Sequence, residues 1–245
     1  MCEGRRVLFI TTCRNPDNAV LERARALAQR YQLSLESREI RGDALVVQRS
    51  SIVLRLDERY YPWHEGLIHA LREAGARHPL VQLSGATRGA HVLDCTLGMG
   101  TDARFLSEVT QATVVGIEAC PAIAILSEIH FETHGINIQV TRGDAGEVMR
   151  ALPAKCMDII IADPMFPPHL RKSSSSLDYL RLRACFQPLN EAWLAEALRI
   201  ARYSIVVKDH KDNDLLERLN APHIWSRGKR ITRYGAWYPS GESPR

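Results

Sequence analysis

Val92-Leu93-Asp94-Cys95-Thr96-Leu97-Gly98-Met99-Gly100-Thr101-Asp102-Ala103 is the stretch that decides the fold of this chain. Val92–Cys95 has the short apolar character of a buried strand, two glycines interrupt it, and a helical pattern resumes over Asp102–Val109. A glycine turn between strand and helix lets the main chain approach a ligand where a Cβ would collide. The same beat continues downstream. Thr113–Ile117 is a strand closing on Glu118, Pro121 starts a helix running to Thr133, and Ile136–Val140 is a strand. Ala145–Leu152 is a helix and Met157–Ala162 a strand. A helix over Asn190–Ala201, a strand over Ser204–Lys208, a helix over Leu215–Leu219 and strands over His223–Ser226 and Arg230–Tyr238 complete the series. Strands alternating with helices at this spacing predict an α/β fold with a doubly wound, mostly parallel sheet covered on both faces.

Upstream the pattern differs. Val7–Thr11 is a short strand, and Asn15-Pro16-Asp17 opens a helix through Tyr31. Leu33–Ile40 alternates as a strand, and Ala44–Gln48 pairs with Ile52–Asp57 around Arg49-Ser50-Ser51 as a hairpin. Leu67–Glu73 is helical, and Ser84-Gly85 to Arg88-Gly89 is a turn. The 245 residues thus divide into a small N-terminal α+β appendage, 1–89, and a sheet domain, 90–245.

Composition removes several classes. With 45% hydrophobic and 24% charged residues a core is available, which excludes disordered and collagen-like chains. The net charge of +4 is too mild to announce nucleic-acid binding. It is uneven, however. Residues 91–170 hold four cations against ten acids, residues 1–90 hold 14 against 10, and residues 199–245 hold 10 against 5. Six scattered cysteines without a C-x-x-C, and nine histidines without ligand spacing, predict free thiols and no metal. No apolar run approaches about 18 residues, and the N-terminus lacks a secretory pattern. A cytoplasmic protein without a membrane span is expected; the oligomeric state is not legible.

Two cofactors suit the glycine turn and Glu118, which stands 20 residues beyond Gly98 where a carboxylate can meet ribose hydroxyls. A dinucleotide would place its pyrophosphate on the helix N-terminus. S-adenosylmethionine instead carries a sulfonium and an amino group. Asp94 and Asp102 repel the first and suit the second, as does the acidic segment around them.

Asp163-Pro164-Met165-Phe166-Pro167-Pro168 follows the apolar strand, at the sheet edge where open α/β proteins bind ligands. An exocyclic base amine is a poor nucleophile, because its lone pair is delocalised. The Asp163 carboxylate and the Pro164 carbonyl can accept its N–H bonds, and Phe166 can stack on the base. The alternative is a proline-rich turn over a buried Phe.

These residues carry a resemblance. Val92-Leu93-Asp94-x-x-x-Gly98-x-Gly100 resembles the first motif of class I S-adenosylmethionine-dependent methyltransferases, and Asp163-Pro164-Met165-Phe166 is similar to the Asp/Asn-Pro-Pro-aromatic motif of amino-methylating members. Together with Ile205-Val206-Val207-Lys208 they are similar to the small-subunit ribosomal RNA guanine-N2 methyltransferase J family and its less characterised relatives. The resemblance covers about residues 90–210 and implies a seven-stranded, Rossmann-like sheet. It implies that Thr101, Asp102, Glu118, Ala119, Asp144, Ala145 and Asp163 contact the cofactor, beside Asp94, Gly98 and Gly100. It further implies that the acceptor is guanine N2 in ribosomal RNA or the small ribosomal subunit, making the chain an enzyme of rRNA processing. Thr101 departs from the arginine usual in the ribosomal RNA enzyme, and Lys172–Ser176 looks closer to the uncharacterised relatives.

Other residues read two ways. Lys208 is either a phosphate contact or a solvated strand-end lysine. Arg171, Lys172, Arg181, Arg183, Arg227, Lys229, Arg230 and Arg233 are candidate contacts to an RNA backbone, or dispersed solvated cations. Tyr60-Tyr61-Pro62-Trp63 suits packing better than base stacking. Three rivals stay open: a methyltransferase acting on a small molecule or protein, a nicotinamide oxidoreductase, and a non-catalytic RNA-binding module.

Overall fold

Four short apolar strands near the N-terminus form a sheet of their own in the computed structural model, which describes residues 8–56, 58–62, 68–164, 189–228 and 231–241. They are β1 (Phe9–Thr12), β2 (Ala44–Val47), β3 (Ile52–Leu56) and β4 (Arg59–Pro62), hydrogen-bonded in that order. β1 and β2 run parallel; β2–β3 and β3–β4 are antiparallel, so the expected hairpin is present and a fourth strand extends it. Helix α1 (Asn18–Tyr31) links β1 to β2. Asp17 caps it by accepting the Val20 N–H at 2.9 Å, and Val20, Ala24, Ala28 and Tyr31 form its buried stripe.

Leu33–Ile40, expected as a strand from its alternation, is not one. Leu35 makes a single bridge to Ile10 and the chain then turns. A distant residue holds it there: the buried Arg55 guanidinium of β3 donates to the carbonyls of Arg38 (2.9 Å) and Ile40 (2.5 Å). Those carbonyls are therefore not available to a ladder. Tyr61 packs partly buried against the core under this sheet, whereas Tyr60 is exposed beside Arg38; Trp63 lies outside the described residues.

Two short helices follow, α2 (Ile68–Ala74) and α3 (Pro79–Ser84). The alternating series then builds the second sheet. Its strands are β5 (His91–Asp94), β6 (Thr113–Glu118), β7 (Ile138–Arg142), β8 (Met157–Ala162), β9 (Ala201–His210), β10 (His223–Trp225) and β11 (Thr232–Trp237). The spatial order is β10-β11-β9-β8-β5-β6-β7. β5 to β9 are mutually parallel and β11 is antiparallel to β9, which gives the expected seven-stranded, mostly parallel sheet. The helices are α4 (Thr101–Thr110), α5 (Pro121–Thr133), α6 (Ala145–Ala151), α7 (Glu191–Ile200) and α8 (Leu215–Arg218). Ile68, Leu80 and Val81 of α2 and α3 share one core with Val92 of β5 and Phe105 of α4. On the other side, Trp193 and Ile200 of α7 share a core with Leu93, Ile160 and Ile205.

Helix α5 is apolar on nearly every side. Ala122, Ile123, Ala124, Ile125, Leu126, Ile129 and Phe131 are all buried. The reason is its position: Ile123, Ile125, Leu126 and Ile129 join the core beneath the first sheet, while Phe131 joins the core of the second. Among the described residues, Cys13, Cys95, Cys120 and Cys156 are free thiols, no cluster of three metal-ligating side chains occurs, and no helix is long and apolar enough to cross a membrane.

Candidate functional site

Four neighbouring strands, β7, β6, β5 and β8, each deliver an acid at or just beyond their carboxyl ends, Asp144, Glu118, Asp94 and Asp163, and the next strand, β9, carries Lys208 two residues before its end. Between β5 and β8 the chain order reverses, the place where open α/β sheets leave a crevice for ligands.

The turn after β5 is stitched to both neighbours. The Cys95 N–H donates to Ile161 O of β8 and the Leu97 N–H to Ile117 O of β6, both at 2.9 Å. Asp94 Oδ1 accepts the Thr96 N–H at 2.9 Å, and Thr96 Oγ1 in turn accepts the Asp163 N–H at 2.6 Å. A hydroxyl inside the glycine turn thereby fixes the start of the Asp-Pro stretch, a role the sequence reading did not assign to Thr96.

Both turn glycines have left-handed backbone, at φ +52° for Gly98 and +70° for Gly100, but they serve different ends. A Cβ at Gly100 would collide with the Phe131 ring, so that glycine is required by packing of α5. Among the described residues, a Cβ at Gly98 would meet nothing nearer than Thr96 O at 3.9 Å. The Gly98 N–H donates to Glu118 Oε2 at 2.8 Å, and Glu118 Oε1 accepts the Cys120 N–H at 2.8 Å. Glu118 is therefore a clip joining two turns, with Ala119 between its anchor points. Burial raises its carboxyl above the ordinary value, and the backbone N–H bonds oppose that only in part. Ser127 of α5 supports the turn from behind, its Oγ donating to Gly98 O at 2.8 Å.

Next along the edge, Asp144 caps α6 by accepting the Glu147 N–H at 2.9 Å, with Ala145 the first helical residue. The Gly143 N–H donates to Glu118 O at 3.0 Å, bringing this turn against the clip.

On the other side of β5 the acids converge on one cation. Lys208 Nζ pairs with Asp102 Oδ2 and lies 3.1 Å from Asp163 Oδ2. Lys208 is thus neither a free phosphate contact nor a solvated strand end, because its stem is enclosed and its ammonium is engaged by two carboxylates. Burial alone would lower that ammonium, but Asp102 and Asp163 outweigh it and hold it above its usual value. Burial pushes the Asp94 carboxyl up to about 8 against the pull of the Thr96 N–H, and Asp102 and Asp163 push the same way. Asp94 and Asp102 are enclosed, whereas the Asp163 side chain is 43% exposed. Thr101 opens α4 directly after Gly100.

The residues form two groups along one edge of the sheet: Asp94, Asp102, Asp163 and Lys208 at β5–β8–β9, and Gly98, Glu118, Ala119, Asp144 and Ala145 at β5–β6–β7. Pro164 continues from Asp163. Phe166, Arg171, Lys172, Arg181, Arg183, Lys229 and Arg230 lie outside the described residues. Arg233, a candidate RNA contact, is committed elsewhere: it donates to Glu217 and, at 2.9 Å, to the fully buried Asp209. Arg227 is exposed.

The donor set selects among cofactors. Two carboxylates, Asp102 and Asp163, engage one lysine with the Asp94 carboxyl beside them, so the cluster attracts a cation and repels a pyrophosphate. Arg104, a basic residue in the helix that follows the turn, is paired with Glu108 at 2.7 Å.

Comparison with known proteins agrees. The family model SAM_MT, of SAM-dependent methyltransferases, matches residues 26–238. YpiP of Bacillus subtilis, an uncharacterized protein, is 33% identical over 173 residues, 66% of each chain. The ribosomal RNA small subunit methyltransferase J of Alteromonas mediterranea is 32% identical over 157 residues, 58% of this chain and 59% of that one. The matched part is thus less than two thirds of either relative's length. The crystal structure of the SAM-dependent methyltransferase NGO1261 from Neisseria gonorrhoeae superposes with a TM-score of 0.69 at 23% identity, covering 96% of this chain and 97% of that one. That likeness concerns the fold.

Proposed function

Because the chain belongs to the SAM-dependent methyltransferase family, with S-adenosylmethionine as its cofactor, we propose that its acceptor is an exocyclic base amine, N2 of a guanine in small-subunit ribosomal RNA. The observation that carries this reading is the difference in enclosure among the carboxylates. Asp94 and Asp102 are enclosed, while Asp163, which begins the Asp-Pro stretch, is 43% exposed.

Bound in the crevice, S-adenosylmethionine supplies a methyl group on a sulfonium, activated for displacement. The backbone at Gly98, with Gly100 and Thr101, would seat the donor on one side, and Glu118, Ala119, Asp144 and Ala145 on the other. Asp94 and Asp102 favour its positive charge. The Asp163 carboxylate and Pro164 carbonyl would accept the amine N–H bonds, and Phe166 would supply the ring that stacks on the base. These groups hold the nitrogen lone pair toward the methyl carbon. The donor would supply its methyl carbon for displacement by that nitrogen, and Asp163 or water would take the amine proton. Alignment contributes more than basicity, since the proton is lost after attack. The names of the methyltransferase J relatives and the basic flanks around the acidic centre support an RNA partner.

Two experiments test this. Calorimetry with S-adenosylhomocysteine should show binding that Asp94→Ala or Glu118→Ala abolishes; a wild-type chain that binds none would end the donor assignment. Mass mapping of ribosomal RNA from a deletion strain should show one guanine methyl missing, and an unchanged map would remove the acceptor.

A further inference from the structure

Lys208 is a basic group held between two carboxylates of the sheet edge, and neither the donor nor the acceptor accounts for it. It sits on β9 one residue beyond the last partner of β8, with Tyr234 of β11 directly opposite. Its side chain is 12% exposed. The charged and titratable groups facing it are Asp94 at the end of β5, Asp102 in the first turn of α4, Asp163 after β8, and Tyr234. A general base is excluded, because the carboxylates hold the ammonium charged. A phosphate contact is excluded, because two of its three donors are directed at carboxylates. What the geometry leaves is a bridge: one contact lies on the helix that follows the glycine turn, the other on the residue placed against the acceptor.

We propose that Lys208 is a positioning residue for Asp163, its ammonium anchored on Asp102 and keeping the Asp163 carboxylate ionised and fixed in place to receive the amine. This rests on the reading of Asp163 as the acceptor-side group. An exposed carboxylate has rotamer freedom and protonates like any surface acid, and once protonated it gives up acceptor capacity. An ammonium within 4 Å favours the charged form and restrains one oxygen. Thr96 fixes the Asp163 main chain from the other side, so backbone and carboxylate are pinned separately.

The test is aspartate-selective carbon-13 NMR of the whole chain across pH, in wild type, Lys208→Gln and Lys208→Arg, with Asp163→Asn assigning the resonance. In Lys208→Gln the Asp163 carboxyl should protonate about one to three pH units higher than in wild type, and Lys208→Arg should recover most of that difference. The acid limb of methyl transfer to deletion-strain RNA should move by the same amount. An unshifted Asp163 titration in a folded Lys208→Gln variant overturns the proposal. If that variant fails to fold, wild type and Lys208→Arg decide: a wild-type Asp163 protonating no lower than aspartate in a peptide overturns it equally. Should wild type transfer no methyl to RNA, the acceptor reading falls, and the carboxyl titration still decides the role of Lys208.

Discussion

Donor binding should expel a proton, and the structure says how much affinity depends on it. The Asp94 carboxyl, lifted to about 8 by burial and by Asp102 and Asp163, is protonated in the free protein at neutral pH. A sulfonium and an amino group entering the crevice favour its ionised form. Binding is then linked to release of nearly one proton at pH 7, and the dissociation constant falls about tenfold per pH unit below 8. From pH 6 to 7.5 that amounts to roughly 25-fold, flattening as pH approaches and passes 8. S-adenosylhomocysteine, which lacks the sulfonium charge, should show a shallower slope. Calorimetry at several pH values, repeated in buffers of different ionisation enthalpy, counts the proton directly. The sign for stability is opposite. A carboxyl whose value is raised on folding contributes stability that is full below its unfolded value near 4 and lost as pH rises toward 8, so the ligand-free chain should weaken over that window. Asp94→Asn should abolish both dependences. A dissociation constant flat from pH 6 to 8 with no proton released, or an Asp94→Asn variant keeping the wild-type slope, would refute the argument.

Other outcomes follow from the same geometry. Gly100→Ala places a Cβ against the Phe131 ring at φ +70° and should cost about 3 kcal/mol, from left-handed strain plus overpacking; urea unfolding within 0.5 kcal/mol of wild type, an order-of-magnitude threshold, would contradict it. Arg233→Met leaves the fully buried Asp209 without its cation and should destabilise by roughly 3 kcal/mol, while leaving the salt dependence of RNA binding unchanged. Conversely, Arg227→Glu with Lys211→Glu, both exposed, should weaken RNA binding and flatten its salt slope without altering S-adenosylhomocysteine affinity. Equal RNA affinity at low salt would remove this face from the interface.

Much of the second sheet can be read in the sequence, because its strands are short apolar runs punctuated by glycine, proline and capping residues. The crevice is legible for a related reason. In a parallel sheet the residue after each strand must lie on one edge, so Asp94, Glu118, Asp144 and Asp163 were destined to be neighbours once the alternation was recognised. What escaped depends on partners remote in sequence. The Leu33–Ile40 pattern looks like a strand until Arg55 claims the carbonyls of Arg38 and Ile40. Arg233 looks like a surface cation until β11 lays it beside Asp209 and Glu217. Lys208 looks like a strand-end lysine until α4 supplies Asp102. In each case the charge was visible and its partner was not. The helix Pro79–Ser84 and the strand Arg59–Pro62 are short, and their sequences carry little periodicity to announce them.

Helix α5 has a consequence for how such a protein can change over generations. Its apolar surface is shared between two sheets, so deleting residues 1–62 would bare Ile123, Ile125, Leu126 and Ile129 to water. The N-terminal sheet therefore cannot be shed or exchanged like a bead on a string. Any recombination that replaces it must bring a matching underside for a helix that begins three residues after Glu118. Inheritance of the first sheet is tied to inheritance of the crevice, and variation is channelled to the outward surface of that sheet, where Tyr60, Arg38 and Ile40 stand in solvent.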